Sequence, residues 1–166
     1  METILVELYR HNRWANLKLL DFCDGLSEEQ LDLNAPGTYG RVRDTLVHLV
    51  GAEGRYVEAL GGGKPDHAVR EDQPFPDLAV LREQAERSGA YLIKFAEENP
   101  AGKVLTGAWH GEPYRMAAAI MMVQAINHAT EHRAHIVSTL TPHGIAAPNI
   151  DGWTFGEATG LDQLPE

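Results

Sequence analysis

The chain carries one cysteine, Cys23, among 166 residues, so no disulfide can form within it. That suits a reducing compartment. Basic residues are scarce as well: 14 Lys and Arg face 24 Asp and Glu, a net charge of −10 with the histidines neutral. Nucleic-acid binding draws most of its affinity from cationic side chains on phosphates, and an acidic surface repels anionic membranes for the same reason. No stretch rich in Lys and Arg reverses the balance locally, so neither partner is expected. No window reaches the ~18 uninterrupted apolar residues of a membrane span. The opening, METILVELYRHNRW, puts Glu2, Glu7 and Arg10 where a signal peptide needs an apolar run. A cytoplasmic location is the expectation. Internal repeats and low-complexity stretches are missing too.

What remains is an ordinary globular composition, 43% hydrophobic, in a length that suits one domain over residues 1–166. The spacing of Ile4, Leu8, Ala15, Leu19, Phe22 and Leu26 predicts an amphipathic helix from about Thr3 to Asp24. Gly25 is placed to end it, and Ser27-Glu28-Glu29-Gln30 has the pattern of a capping box opening one further turn. A second helix fits from about Arg41 to Leu60, stopped by Gly61-Gly62-Gly63. The stretch from Lys64 to Pro76 contains Pro65, Pro74 and Pro76 and reads as a long irregular crossover. Asp77 can cap a third helix reaching Glu98. Between Lys103 and Arg115, two short β-prone runs flank Trp109-His110-Gly111-Glu112, the pattern of a hairpin. A fourth helix runs from about Met116 to Leu140, and the glycine-rich tail from Pro142 reads as loop plus a short turn. The fold class is all-α: a four-helix bundle with a long crossover between helices 2 and 3 and a small β-hairpin before helix 4. That crossover allows helices 2 and 3 to run parallel.

Eight histidines are many for this length. His128 and His132 stand four apart on helix 4, which places their side chains about 40° and about 6 Å apart on one face. Two imidazoles so placed can converge on one metal ion. His48 sits mid-way along the apolar second helix, where a solvated polar residue would be out of place, and offers a third ligand. His135 shares the face of His128 and His132. It is about 10.5 Å along the axis from His128, too far for one ion, but it competes with His128 as the partner of His132. Spacing alone leaves both pairs open.

Three stretches resemble the DinB/YfiT superfamily of metal-dependent enzymes: Arg13-Trp14-Ala15-Asn16 in helix 1, His48-Leu49-Val50-Gly51-Ala52-Glu53 in helix 2, and Asn127-His128-Ala129-Thr130-Glu131-His132-Arg133 in helix 4. The likeness extends over nearly the whole order of elements. It implies metal ligation by His48, His128 and His132 and sets His135 aside. Many members follow the arginine with Gly-Gln, where this chain has Ala134 and His135; the departure concerns the neighbouring pocket wall. The resemblance also implies homodimers and thiol-dependent transferase or hydrolase activities.

Three neutral imidazoles would leave a coordination position open and the ion's +2 charge nearly intact, the pattern of a catalytic-type site. The expected cofactor is one divalent transition metal, zinc or nickel foremost and iron next, with a low-molecular-weight thiol beside it. A transferase using that thiol on a small-molecule substrate is the first reading. A hydrolase with metal-activated water is the second, and a non-enzymatic metal- or ligand-binding stress protein the third. Glu53, about 140° round the helix from His48, reads as half of a structural ion pair, and Glu131 points away from the site. Gln124 is a candidate pocket-lining residue. His11 reads as a hydrogen-bonded interior residue, Cys23 as a buried inert thiol, and His67, His110 and His143 as solvated. Trp109 and Trp153 read as aromatics packed between loop and bundle. Apolar residues off the main stripe, namely Leu5, Tyr9, Leu20 and Cys23 on helix 1 and a broad arc on helix 3, either lie under the hairpin and the Trp153-Phe155 tail or form a subunit contact; the resemblance favours a two-fold homodimer with helices 1 and 3 nearest the interface.

Overall fold

The computed structural model describes residues 3–64, 68–98, 102–109 and 111–163, with Trp109 described in its backbone only. Helix α1 spans Ile4–Cys23 and begins where the Thr3 side chain accepts from the Val6 amide. The single turn α2, Glu28–Leu31, opens on a complete capping box: Gln30 N–H donates to Ser27 Oγ at 3.2 Å, and Ser27 N–H donates to Gln30 Oε1 at 2.9 Å. Two otherwise orphaned donors are satisfied at once. Helix α3, Val42–Leu60, ends on Gly61, whose φ of 99° lies in the left-handed region that glycine enters without steric cost. Helix α4, Leu78–Glu97, starts at Asp77, which accepts from Ala79 N–H at 2.9 Å. Strands β1, Val104–Trp109, and β2, Glu112–Ala117, pair antiparallel, Val104 opposite Ala117 and Trp109 opposite Glu112. Helix α5, Ala118–Leu140, follows directly and closes in a 3₁₀ turn at Thr141–His143.

Helices α1, α3, α4 and α5 form the bundle, α1 and α3 each packing on both α4 and α5. Contacts between helices give the directions. Asn12 and Asn16 meet Arg133, and Tyr9 meets Met122, so α1 and α5 run parallel. Glu53 meets Ser88 and Leu60 meets Tyr91, so α3 and α4 run parallel, as the crossover between them permits. Arg13 pairs with Glu86 and Asp21 with Arg82, so α1 and α4 are antiparallel. No helix among the described residues is long and apolar enough to cross a membrane.

The core divides into two apolar clusters. One, at the hairpin end, gathers Tyr9, Leu60, Leu92, Leu105 and Met122; the other, at the opposite end, gathers Leu19, Leu46, Leu81, Ile136 and Leu140. Between them lies a buried polar layer. Asn12 and Asn16 each donate to Glu53 Oε2 at 3.0 Å, Ser88 Oγ donates to Glu53 Oε1 at 2.5 Å, and Arg133 donates to the Asn12 and Asn16 carbonyl oxygens at 2.7 Å. Glu53 and Arg133 are 2% and 4% exposed. A charge so buried persists only when hydrogen-bonded and compensated.

The structure departs from the sequence reading in three places. The side of α1 that faces the core is Val6, Tyr9, Asn12, Ala15, Asn16, Leu19, Leu20 and Cys23, while Ile4 and Leu8, read as part of the core stripe, are 81% and 44% exposed. Two asparagines take core positions on this helix, so its apolar residues spill beyond a single stripe. The tail forms a true helix, α6, Gly152–Thr159, because Asp151 caps it by accepting from Thr154 N–H at 2.8 Å. It docks on α1 through Phe155, whose ring meets His11 edge-on at 5.5 Å and lies 5.5 Å from Trp14. Trp153, expected to pack between loop and bundle, is instead 84% exposed. Finally, Leu81, Leu92 and Phe95 of α4 are buried, and Leu78 and Tyr91 are partly covered by their own chain.

Candidate metal centre

His48 rises from the middle of α3 between the buried Val47 and Leu49, and its ring meets two rings of α5. His48 Nε2 lies 3.0 Å from His128 Nε2. The ring centroids of His48 and His132 are 4.6 Å apart, and those of His128 and His132 4.3 Å. One nitrogen from each of the three falls within 4.8 Å of the others. Antiparallel packing of α3 on α5 makes this possible, because it sets the mid-point of one helix against the i, i+4 pair of the other.

His135 stays outside this group. Its ring lies 5.3 Å from that of His132, and its Nδ1 is buried without a hydrogen-bond partner. Of the two pairings that spacing left open, the structure brings His128, not His135, together with His48 and His132. His11 is hydrogen-bonded, its Nε2 2.8 Å from the Ile150 carbonyl oxygen. His143 is exposed, whereas His67, His110 and the Trp109 side chain lie outside the described residues. Gln124 is exposed and does not line the cleft beside the histidines. Cys23 is fully buried, and burial pushes its thiol up to about 12, far from nucleophilic use.

Two residues that the sequence reading passed over bracket His48. The Tyr39 ring stacks on it at 4.0 Å with 24° between planes. Glu71, from the crossover, brings Oε1 to 3.0 Å from His48 Nδ1 and accepts the Tyr39 hydroxyl on Oε2 at 2.5 Å. Arg55 donates to Glu71 Oε1 at 3.3 Å. Arg55 and Tyr56 follow His48 by seven and eight residues on one helix, so helical spacing could have pointed to them. Nothing periodic announces Tyr39 or Glu71, which come from loops.

The electrostatics suit a cation. Burial, then the neighbouring imidazoles, pushes His128 down to about 4; burial, then His48 and His135, does the same for His132. Both rings are thus neutral at pH 7, the form that ligates metal. Partial burial alone would raise Glu71, but the Tyr39 hydroxyl and His48 outweigh it and hold the carboxylate below its ordinary range. Two nitrogens bound to one tetrahedral ion at about 2.0–2.1 Å stand about 3.3 Å apart. The His48–His128 separation of 3.0 Å is close to that, and the buried, unpartnered Nδ1 of His132 marks a ring not committed elsewhere. The donor set fits a divalent transition metal.

Beside the rings opens a cleft of about 810 Å³, lined by His48, Arg55, Tyr56, Glu71, Tyr114 and His128 and by Thr106, Gly107 and Ala108 of β1. Its size is that of a small-molecule site.

The DinB family matches residues 1–164 of the chain. The chain belongs to the DinB family. Its fold agrees with a solved relative of that type, the crystal structure of a DinB-like protein from Bacillus cereus ATCC 10987, with a TM-score of 0.65, 18% identity, and coverage of 87% of this chain and 94% of that one. At that identity the likeness speaks for the fold. No curated protein matches the chain. This DinB-family bundle therefore has its helices, its hairpin and its cluster of three histidines established, and its chemistry must be argued from the site.

Proposed function

We propose that the chain binds one divalent transition metal, zinc or nickel before iron, through His48, His128 and His132, and is a transferase that uses a low-molecular-weight thiol. The observation that carries this reading is the cluster of three close histidines, two of which, His48 and His128, line an open cleft. A closed structural site would have four protein ligands and no cleft. An ion held there would supply Lewis acidity, lowering the pKa of a thiol or a water in its open position.

The chain's own carboxylates favour thiol over water as nucleophile. Glu71 is engaged by Tyr39, His48 and Arg55, and Glu58, the other acid on the cleft wall, pairs with Lys64 at 3.3 Å. Glu53 lies in the polar layer, bonded to Asn12, Asn16 and Ser88. Among the described residues at the cleft, both carboxylates, Glu58 and Glu71, are engaged in ion pairs. A thiol, with a pKa near 8.5, needs far less help to ionise. The cleft leaves room for a small electrophile between Tyr56, Tyr114 and the histidines. The test is cobalt substitution followed by thiol titration: new visible absorption on adding thiol supports the reading. Turnover of simple esters without thiol, and no spectral response to it, would favour the hydrolase instead.

We also infer a homodimer, with the interface on α1 and α5 in place of α1 and α4. Leu8 and Val123 line an apolar groove of about 420 Å³ between α1 and α5. Ile4 and Ile120, 81% and 60% exposed, continue the same faces. A second copy seated on it by two-fold symmetry would cover both faces at once. The arc on α4 is already buried or partly covered within the chain.

A further inference from the structure

We propose that Glu71 is a positioning residue that holds the His48 ring with its proton on Nδ1 and its Nε2 turned toward His128 and His132. The proposal deepens the metal-binding reading above and rests on it only for its second readout.

The crossover looks like a passive connection, but it is seated on α3 at a defined point. Val69 is 8% exposed and belongs to the apolar cluster at the end away from the hairpin. Its carbonyl oxygen comes so close to α3 that a Cβ built on Gly51 would lie 2.9 Å from it. Any residue but glycine at 51 would push the crossover away. Two residues beyond Val69, this seating delivers Glu71 to the far side of the His48 ring from His128.

There Glu71 is held from three directions. Tyr39 donates to Oε2 at 2.5 Å while its own ring covers the face of His48 at 4.0 Å. Arg55, two-fifths exposed, reaches Oε1 at 3.3 Å. The remaining approach of Oε1 is to His48 Nδ1, at 3.0 Å. That contact has ion-pair distance without full hydrogen-bond alignment, so Nδ1 is still short of a partner. A buried N–H left so is costly, and a small turn of the carboxylate supplies its acceptor. A carboxylate can accept there only if the proton resides on Nδ1. That choice leaves the Nε2 lone pair as the one free to ligate. Tyr39 and Glu71 thus form a clamp on the only ligand that α3 contributes.

The experiment compares Glu71→Ala, Glu71→Gln and Gly51→Ala with the unaltered chain, folded state being checked by circular dichroism. The first readout uses metal-free protein: long-range nitrogen–proton correlation spectra of the histidine rings report the His48 tautomer directly. The expected result is a single Nδ1–H form in the unaltered chain and in Glu71→Gln, whose amide oxygen can still accept. Glu71→Ala and Gly51→Ala should give a mixture. The second readout is zinc affinity by chelator competition, expected to fall roughly 10–100-fold in Glu71→Ala and to be largely rescued in Glu71→Gln. An unchanged His48 tautomer in both Glu71→Ala and Gly51→Ala overturns the proposal. So does a loss of zinc in Glu71→Gln as large as in Glu71→Ala, since that would make Glu71 a ligand. If no variant and not even the unaltered chain binds zinc or nickel, the metal reading fails while the tautomer still decides the role of Glu71.

Discussion

Glu53 and Arg133 meet through two amides: Asn12 and Asn16 each donate to Glu53 Oε2 and accept from Arg133 in the same plane of the bundle. The ion pair expected of Glu53 is therefore a relayed one. Burial raises the Glu53 carboxyl, while Ser88, Asn12, Arg133 and Asn16 oppose that rise. Burial likewise lowers Arg133, to about 10, against the opposing pull of Glu53.

Replacing Glu53 by Gln leaves Arg133 buried without its counter-charge. Breaking a buried pair on one side costs roughly 3–5 kcal/mol, and the relay through two amides puts this case at the lower end. We expect the unfolding free energy from urea titration to fall by about 3 kcal/mol, with metal stoichiometry unchanged. A general-base role would show the opposite pattern, with activity lost and stability kept.

In metal-free protein, acid should weaken the fold between about pH 6.5 and pH 4. A free histidine titrates near 6.5, but His128 and His132 are pushed down to about 4 by burial and then by the imidazoles around them. In that window the unfolded chain takes up protons that the folded chain refuses, so stability falls as pH falls. Above about 6.5 the rings are neutral in both states and their contribution is flat. Melting temperatures of EDTA-treated protein across this range check it. The double variant His128→Asn, His132→Asn should have a shallower slope.

The dimer is tested at the groove between α1 and α5. The unaltered chain, of 18.3 kDa, should sediment at twice that mass at micromolar concentration. Leu8→Glu together with Val123→Glu should sediment as monomer with helical content intact. A single monomeric species for the unaltered chain would contradict the interface.

Most of the bundle was legible because its punctuation is local. The capping box at Ser27, the stop at Gly61, the cap at Asp77 and the hairpin turn at Gly111 all act within a few residues of themselves. The buried side of α1 was not legible. Asn12 and Asn16 look solvent-facing until Glu53 and Arg133 arrive from other helices to satisfy them. Helix α6 was hidden by its glycines, which suggest loop unless the Asp151 cap is given due weight. At the site, His48, His128 and His132 could be picked out because histidines mid-way along apolar helices are conspicuous. Tyr39 and Glu71 could not: Tyr39 comes from the loop before α3, and only the path of the crossover over Gly51 brings Glu71 to His48.

The central claim is that His48, His128 and His132 hold one metal ion in a bundle that folds without it. Elemental analysis of chain purified without chelator, alongside His48→Ala, tests it most directly. The account predicts close to one transition-metal ion per chain, most of it lost in His48→Ala, with the helical circular dichroism of both nearly the same. Full metal retention in His48→Ala, or loss of most helical signal when the metal is removed, would contradict it.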